Sequence, residues 1–210
     1  MDTSTSEIST LNVLILNASL KHGSQPSATQ EVADMVVAEM QKLSPVTSTS
    51  IRLADKIIPV GLGFKESEDD EWPAIAEELK KADVVLFATP IWWGGRSSLM
   101  QRVIERMDAF DEEAHTGGRA VLLNKVAGVV VTGSEDGAQA TMAGIIEVLS
   151  FMNFTIPPQA CTYWVGEVGM DPKTDSDRRR ANKAVPHMAA ATAKNLVYYA
   201  QLLKEHPQVA

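Results

Sequence analysis

Short unbroken apolar runs alternate with longer amphipathic stretches along almost the whole chain, and that alternation leaves few folds open. Leu11 to Asn17 reads LNVLILN, and Val84 to Ala88 reads VVLFA. A third such run spans Val126 to Thr132. A strand with apolar residues on both faces must be covered on both faces, as in a parallel sheet between helices. Thr47 to Leu53 alternates instead and predicts an edge strand. Phe154 to Ala160 predicts a short fifth strand, interrupted by Pro157 and Pro158. Helical spacing is seen between them, over Ser27–Leu43, Asp70–Ala82, Ser97–Phe110 and Ala138–Met152. The last helix is expected from Ser176 to Lys204, kinked or divided at Pro186. Five strands and about five helices predict an α/β fold: a doubly wound five-stranded parallel sheet with helices on both faces.

The chain has 210 residues, which suits one domain over residues 11–210 behind an extended or disordered tail at 1–10. Nineteen basic residues against 27 acidic ones give a net charge of −8, which argues against general nucleic-acid binding. Arg178 to Arg180, the one dense basic run, stands beside Asp175 and Asp177 and reads as a solvated helix start. A single cysteine, Cys161, excludes an internal disulfide and a cysteine-ligated cluster. One thiol suits a reducing cytoplasm. Four scattered histidines carry no metal-binding spacing, and no apolar run is long enough to span a membrane.

Open parallel sheets bind ligands beyond the carboxyl ends of their strands. Three loops there draw notice. Loop one, Asn17 to Thr29, leads into a helix whose first amides are unpaired and whose dipole end is positive. Ser19, Ser27 and Thr29 add hydroxyls suited to a phosphate, although Ser27 also reads simply as an N-cap. Neither a phosphate-loop lysine motif nor a dinucleotide fingerprint is present; Gly61-Leu62-Gly63 lacks the third glycine. Loop two, Thr89 to Ser98, carries Trp92 and Trp93 before Gly94 and Gly95. Tryptophans stack on flat rings, and they also pack into cores and subunit interfaces. Loop three, Thr132 to Gly137, is a polar glycine turn, or only a strand-to-helix connection. Together the loops suit a ligand with a phosphate tail and a planar head.

In NASLKHGSQPSAT, ATPIWWGGRSSLMQRVIER and VVVTGSEDGA the sequence resembles the flavodoxin-like NADPH-dependent FMN reductases. It departs from them at Ala18, where glycine is usual, and in lacking the cysteines of iron–sulfur relatives. The resemblance implies noncovalent FMN, with Ser19, Lys21, Ser27, Ala28 and Thr29 at the phosphate. Pro90, Ile91, Trp92, Trp93 and Gly94 would run along the ring, and Thr132, Gly133, Ser134, Asp136 and Gly137 along its polar edge. A backbone N–H near Gly94 or Gly95 would face N5. Glu135 and Asp136 would lower the reduction potential if aimed at the ring.

NADPH or NADH is the implied electron donor, and a quinone, free flavin or similar small molecule the acceptor. No side chain is expected to act as acid or base. An FMN-binding electron carrier without a nicotinamide site is the alternative, and a non-redox binding module on the same fold a third reading. His22, His115, Tyr163 and Trp164 are candidates for covering the site. Arg96, Arg119 and Lys125 are candidates for reading the NADPH phosphate. A homodimer or homotetramer is implied.

Overall fold

A computed structural model describes residues 9–110, 120–134 and 136–209. Of the expected tail, only Ser9 and Thr10 fall among them, and both are exposed. The elements are β1 (Leu11–Asn17), α1 (Ala28–Gln41), β2 (Val46–Arg52), α2 (Trp72–Lys81), β3 (Val84–Trp92), β4 (Gly95–Arg96), α3 (Ser98–Arg106), β5 (Val126–Gly133), α4 (Ala138–Phe151), β6 (Cys161–Val165), α5 (Pro172–Ala181) and α6 (Ala184–Glu205). The main sheet is parallel in the order β2-β1-β3-β5-β6, and β4 pairs only with β3, antiparallel. This is a three-layer α/β arrangement.

Successive side chains of a strand point to opposite faces, so each apolar run feeds two cores. Leu14, Leu16, Val85, Phe87, Val129 and Val131 pack with residues of α2, α3 and α4. Val13, Ile15, Leu86, Ala88 and Val130 pack beneath α1 and α6. Asn17 stands beside Ala88 and Pro90 beside Thr132, so the carboxyl ends of β1, β3 and β5 finish close together.

Four expectations are corrected. The strand expected to stop at Ala88 continues to Trp92, because Thr89, Pro90 and Ile91 keep pairing with or lying beside β5 and β4. The fifth strand is Cys161–Val165 rather than Phe154–Ala160. Pro157 and Pro158 have no N–H to place in a ladder, and that stretch keeps one isolated bridge, Val126 to Thr155. The last helix is indeed divided, but at Asn182 and Lys183. The Asn182 Oδ1 accepts from the amides of Ala184 and Val185, while Pro186 lies in the first turn, where its missing N–H costs nothing. Finally, Arg178–Arg180 forms the last turn of α5, whose start is Asp171, its side chain accepting from the Thr174 amide. Arg179 is 2% exposed, so the run is not a solvated helix start.

Candidate functional site

Loop one is shaped by its own polar groups. The Asn17 Oδ1 accepts the Ser19 amide at 2.9 Å, and the Ser19 Oγ accepts the Lys21 amide at 3.3 Å. Arg52 at the end of β2 donates to the carbonyls of Lys21 and Gln25 at 3.3 and 2.9 Å. Asp55 accepts the Gly23 amide at 2.9 Å. The loop is therefore held by a cation on its carbonyls and an anion on an amide. Ser27 is the N-cap of α1, its Oγ accepting from the Gln30 amide at 3.2 Å. That hydroxyl keeps its own proton for another partner. The amides of Ala28 and Thr29 precede the first intrahelical bond, which Glu31 makes to the Ser27 carbonyl. The buried hydroxyls of Thr29 and Thr132 meet at 2.8 Å, tying the start of α1 to the end of β5.

Loop two is a two-residue hairpin. Trp92 pairs with Gly95, and Trp93 and Gly94 turn between them with φ of 49° and 78°. Positive φ at both central residues suits the twist of a tight hairpin but is unfavourable for a residue as large as tryptophan. Trp93 is 91% exposed and Trp92 50%. Arg96 anchors the hairpin, its Nε donating to Gln101 at 2.6 Å and its Nη1 to the Gly144 carbonyl at 2.9 Å. Ser97 joins loops one and two by donating to the Ala18 carbonyl at 2.8 Å.

These elements bound one cleft of about 740 Å³. Twelve of the fifteen predicted residues line it: Ser19, Lys21, Ser27, Ala28, Thr29, Pro90, Ile91, Trp92, Trp93, Thr132, Gly133 and Ser134. Gly94, Asp136 and Gly137 do not; Asp136 is exposed, and Gly137 faces Gly94. Glu135, His115 and Arg119 lie outside the described residues.

Trp164, expected to cover the site, does line the cleft; sequence reasoning missed the rest of this wall, Glu167, Met170, Arg179 and Arg180, from α5 and the segment before it. Glu31, in the first turn of α1, receives Arg179, the Nε of Arg180 at 2.5 Å, and the Ser176 hydroxyl at 2.9 and 3.0 Å. Burial alone would raise its carboxyl, but the hydrogen bonds from Arg179, Ser176 and Arg180 outweigh that and hold it below its ordinary value. Arg179 also pairs with Asp175, which accepts the Trp164 Nε1–H at 2.9 Å. Besides Trp164, the sequence trace of this wall is the Asp175–Arg179 spacing, one helical turn apart.

Other candidates are placed elsewhere. Tyr163 packs against the core and does not line the cleft. The His22 side chain is 72% exposed, with its Nδ1 3.3 Å from Asp55. Lys125 sits at the amino end of β5, away from the cleft, donating to the carbonyls of Lys80 and Ala82, both at 2.7 Å. With Arg96 committed to Gln101 and Gly144, neither of these two cations can serve a ligand as expected. Burial pushes the Cys161 thiol up to about 11, so it is not a nucleophile at neutral pH. Among the described residues, no group of three potential ligands could hold a metal ion, and no helix is long and apolar enough to cross a membrane.

A parallel sheet in this order, with a polar and aromatic cleft beyond β1, β3 and β5, defines a flavodoxin-like protein. The chain belongs to the NADPH-dependent FMN reductase family, whose model matches residues 11–167. It is 30% identical to the 8-demethyl-8-aminoriboflavin-5'-phosphate synthase of Streptomyces davaonensis, over 94% of this chain and 80% of that protein. An FMN reductase (NADPH) of Pseudomonas aeruginosa is 27% identical over 40% of this chain and 46% of its own. The crystal structure of RosB with 8-demethyl-8-formylriboflavin-5'-phosphate superposes with a TM-score of 0.81 at 27% identity, covering 94% of this chain and 82% of that one. The chain is thus an oxidoreductase enzyme of a family that works with FMN and a reduced nicotinamide.

Proposed function

We propose that the cleft holds FMN with its phosphate at the start of α1 and its ring beside the tryptophan hairpin, and that electrons pass from NADPH or NADH to a quinone, free flavin or similar small acceptor. What carries this reading is one cleft that joins the unpaired first amides of α1, the Thr29–Thr132 hydroxyl pair and the exposed Trp92–Trp93 hairpin. The donor set fits the group. Ala28 and Thr29 offer amides at a positive helix end, and Ser19, Ser27 and Lys21 offer hydroxyls and a cation. Lys21 spends one proton on the Pro26 carbonyl at 2.8 Å, which aims its ammonium along the loop.

The flavin supplies the capacity to take and give electrons when bound. The protein binds and orients. Pro90 to Trp93 provide a flat wall; Gly94 and Gly95, expected to offer an amide to N5, do not line the cleft. Thr132, Gly133 and Ser134 supply hydroxyl and backbone groups on the other side. With Asp136 exposed, its carboxylate has little effect on the ring. No side chain need move a proton.

We place this activity in a cytoplasmic enzyme that folds as one unit over residues 11–210 and assembles as a homodimer or homotetramer through surface that includes the exposed tryptophans. The test is an absorption spectrum of purified protein, before and after FMN, then after anaerobic NADPH and NADH. A bound-flavin spectrum that bleaches with a nicotinamide is expected. One that stays oxidised with both leaves an electron carrier, and no flavin binding removes the reading.

A second reading has a specific observation behind it. The synthase relative and the RosB complex both concern riboflavin phosphates altered at position 8. The same cleft could take flavin as a substrate. Mass spectrometry of the flavin recovered after turnover decides: unchanged FMN keeps the reductase reading, and a changed mass favours the second.

A further inference from the structure

Besides the three loops, the cleft is lined by α5 and the segment before it, and that wall carries a cation with capacity to spare. Glu31 is held three times over: by Arg179, by the Ser176 hydroxyl on both oxygens, and by the Nε of Arg180. Both terminal amino groups of Arg179 are engaged, one by Glu31 and one by Asp175, and the residue is 2% exposed. Arg180 is different. Its side chain is 66% exposed, and its two terminal amino groups donate to nothing else among the described residues. If Arg180 left Glu31, the carboxylate would keep Arg179 and Ser176. Arg180 is therefore dispensable to the ion-pair cluster while standing on the wall of the cleft.

The other cations on the cleft are committed. Lys21 and Arg52 hold the carbonyls of loop one, at the end assigned to the flavin phosphate. Arg178, beside Arg180 in sequence, pairs with Glu167 at 2.7 Å and does not line the cleft.

We infer that Arg180 reads the 2'-phosphate of the nicotinamide donor and so makes NADPH preferred over NADH. This rests on the reading of the cleft as a flavin-and-nicotinamide site. A guanidinium presents two parallel N–H groups to a phosphate, and the contact with Glu31 engages only the Arg180 Nε, leaving both terminal amino groups for a ligand. The acidic surface of the chain repels polyphosphates, so discrimination depends on such a local cation.

The experiment reads binding apart from turnover. Calorimetric titration with 2',5'-ADP and with 5'-AMP compares two fragments that differ in the 2'-phosphate. The intact protein is expected to bind 2',5'-ADP about tenfold more tightly, as one charge-assisted contact allows. The preference is expected to vanish in Arg180→Gln, to survive in part in Arg180→Lys, and to persist in Arg178→Gln, which removes the same charge from the neighbouring position. Melting temperatures of the three variants should match the parent, since Glu31 keeps two partners. Equal binding of the two fragments by the parent, or a preference that persists in Arg180→Gln, overturns the assignment. A parallel titration with FMN keeps the two readings apart: FMN binding with no fragment preference defeats only the Arg180 role, and loss of FMN binding in the parent defeats the flavin site itself.

Discussion

Gly137 and Gly94 meet backbone to backbone. A Cβ on Gly137 would stand 2.7 Å from the Gly94 Cα and 3.0 Å from its carbonyl carbon and oxygen. Both residues have positive φ, 116° and 78°. Neither lines the cleft, yet their contact sets how closely the tryptophan hairpin approaches the loop after β5.

Gly137→Ala meets both a backbone clash and an unfavourable φ, at a cost of about 1–3 kcal/mol. Gly94→Ala meets only the φ cost, because nothing lies within 4 Å of its added Cβ. Thermal melts and FMN titrations of the two variants should therefore rank Gly137→Ala as the more damaging, with FMN affinity down by tenfold or more. Equal effects would mean that the contact does not set the hairpin.

Trp93 sets stability against binding. Its φ of 49° is one that glycine adopts without strain, and its ring is almost fully exposed. Trp93→Gly is expected to leave the melting temperature equal or higher, by relief of about 1 kcal/mol of backbone strain. FMN should bind severalfold more weakly, and quenching of tryptophan emission by the flavin should shrink. A variant that loses stability and keeps affinity would assign Trp93 to packing.

Arg106 and Asp70 are an entirely buried ion pair, 2.8 Å apart, and Arg106 also donates to the carbonyls of Pro59, Gly63 and Phe64. Burial would raise the Asp70 carboxyl, but the Arg106 hydrogen bond and the Glu66 and Trp72 amides hold it below its ordinary value. Arg106→Met should destabilise by about 3–5 kcal/mol, since it strands a buried charge and three carbonyls. Adding Asp70→Asn to that variant should recover part of the loss, measured by urea denaturation.

Lys125 shapes the alkaline side of the stability curve. Burial pushes its ammonium down to about 8, with a smaller upward pull from Asp83. Between pH 8 and 10.5 the unfolded chain holds this proton and the folded one has released it, so stability rises with pH in that window. Above pH 9, Cys161 works the other way, its folded pKa being raised to about 11. Urea midpoints from pH 7.5 to 9 should rise in the parent and run flatter in Lys125→Met.

The parts of the fold that were legible are those with a local cause. β1 and β5 declare themselves as unbroken apolar runs, and α1 by its apolar face and Ser27 cap. That three loops bound one cleft was legible because their residues cluster at strand ends. Other features depend on partners far along the chain. Arg179 reads as a surface charge until Glu31, 148 residues away, is placed beside it. β3 runs on past Ala88 because Pro90 and Ile91 find neighbours in β5 and β4, which local pattern does not show. A hairpin turned by Trp-Gly rather than Asn-Gly has no usual turn signature. The fifth strand was displaced by a few residues, since Phe154, Thr155 and Ile156 alternate as a strand does and only the prolines argue against it.

The span between Glu31 and Arg179 also has a consequence in time. At synthesis rates of roughly 5–20 residues per second, the arginine wall leaves the ribosome on the order of ten seconds after α1. The three loops precede it, through Gly137. Glu31 is therefore synthesised well before its two arginines, and its charge beside the start of α1 is compensated only once α5 is made and docks.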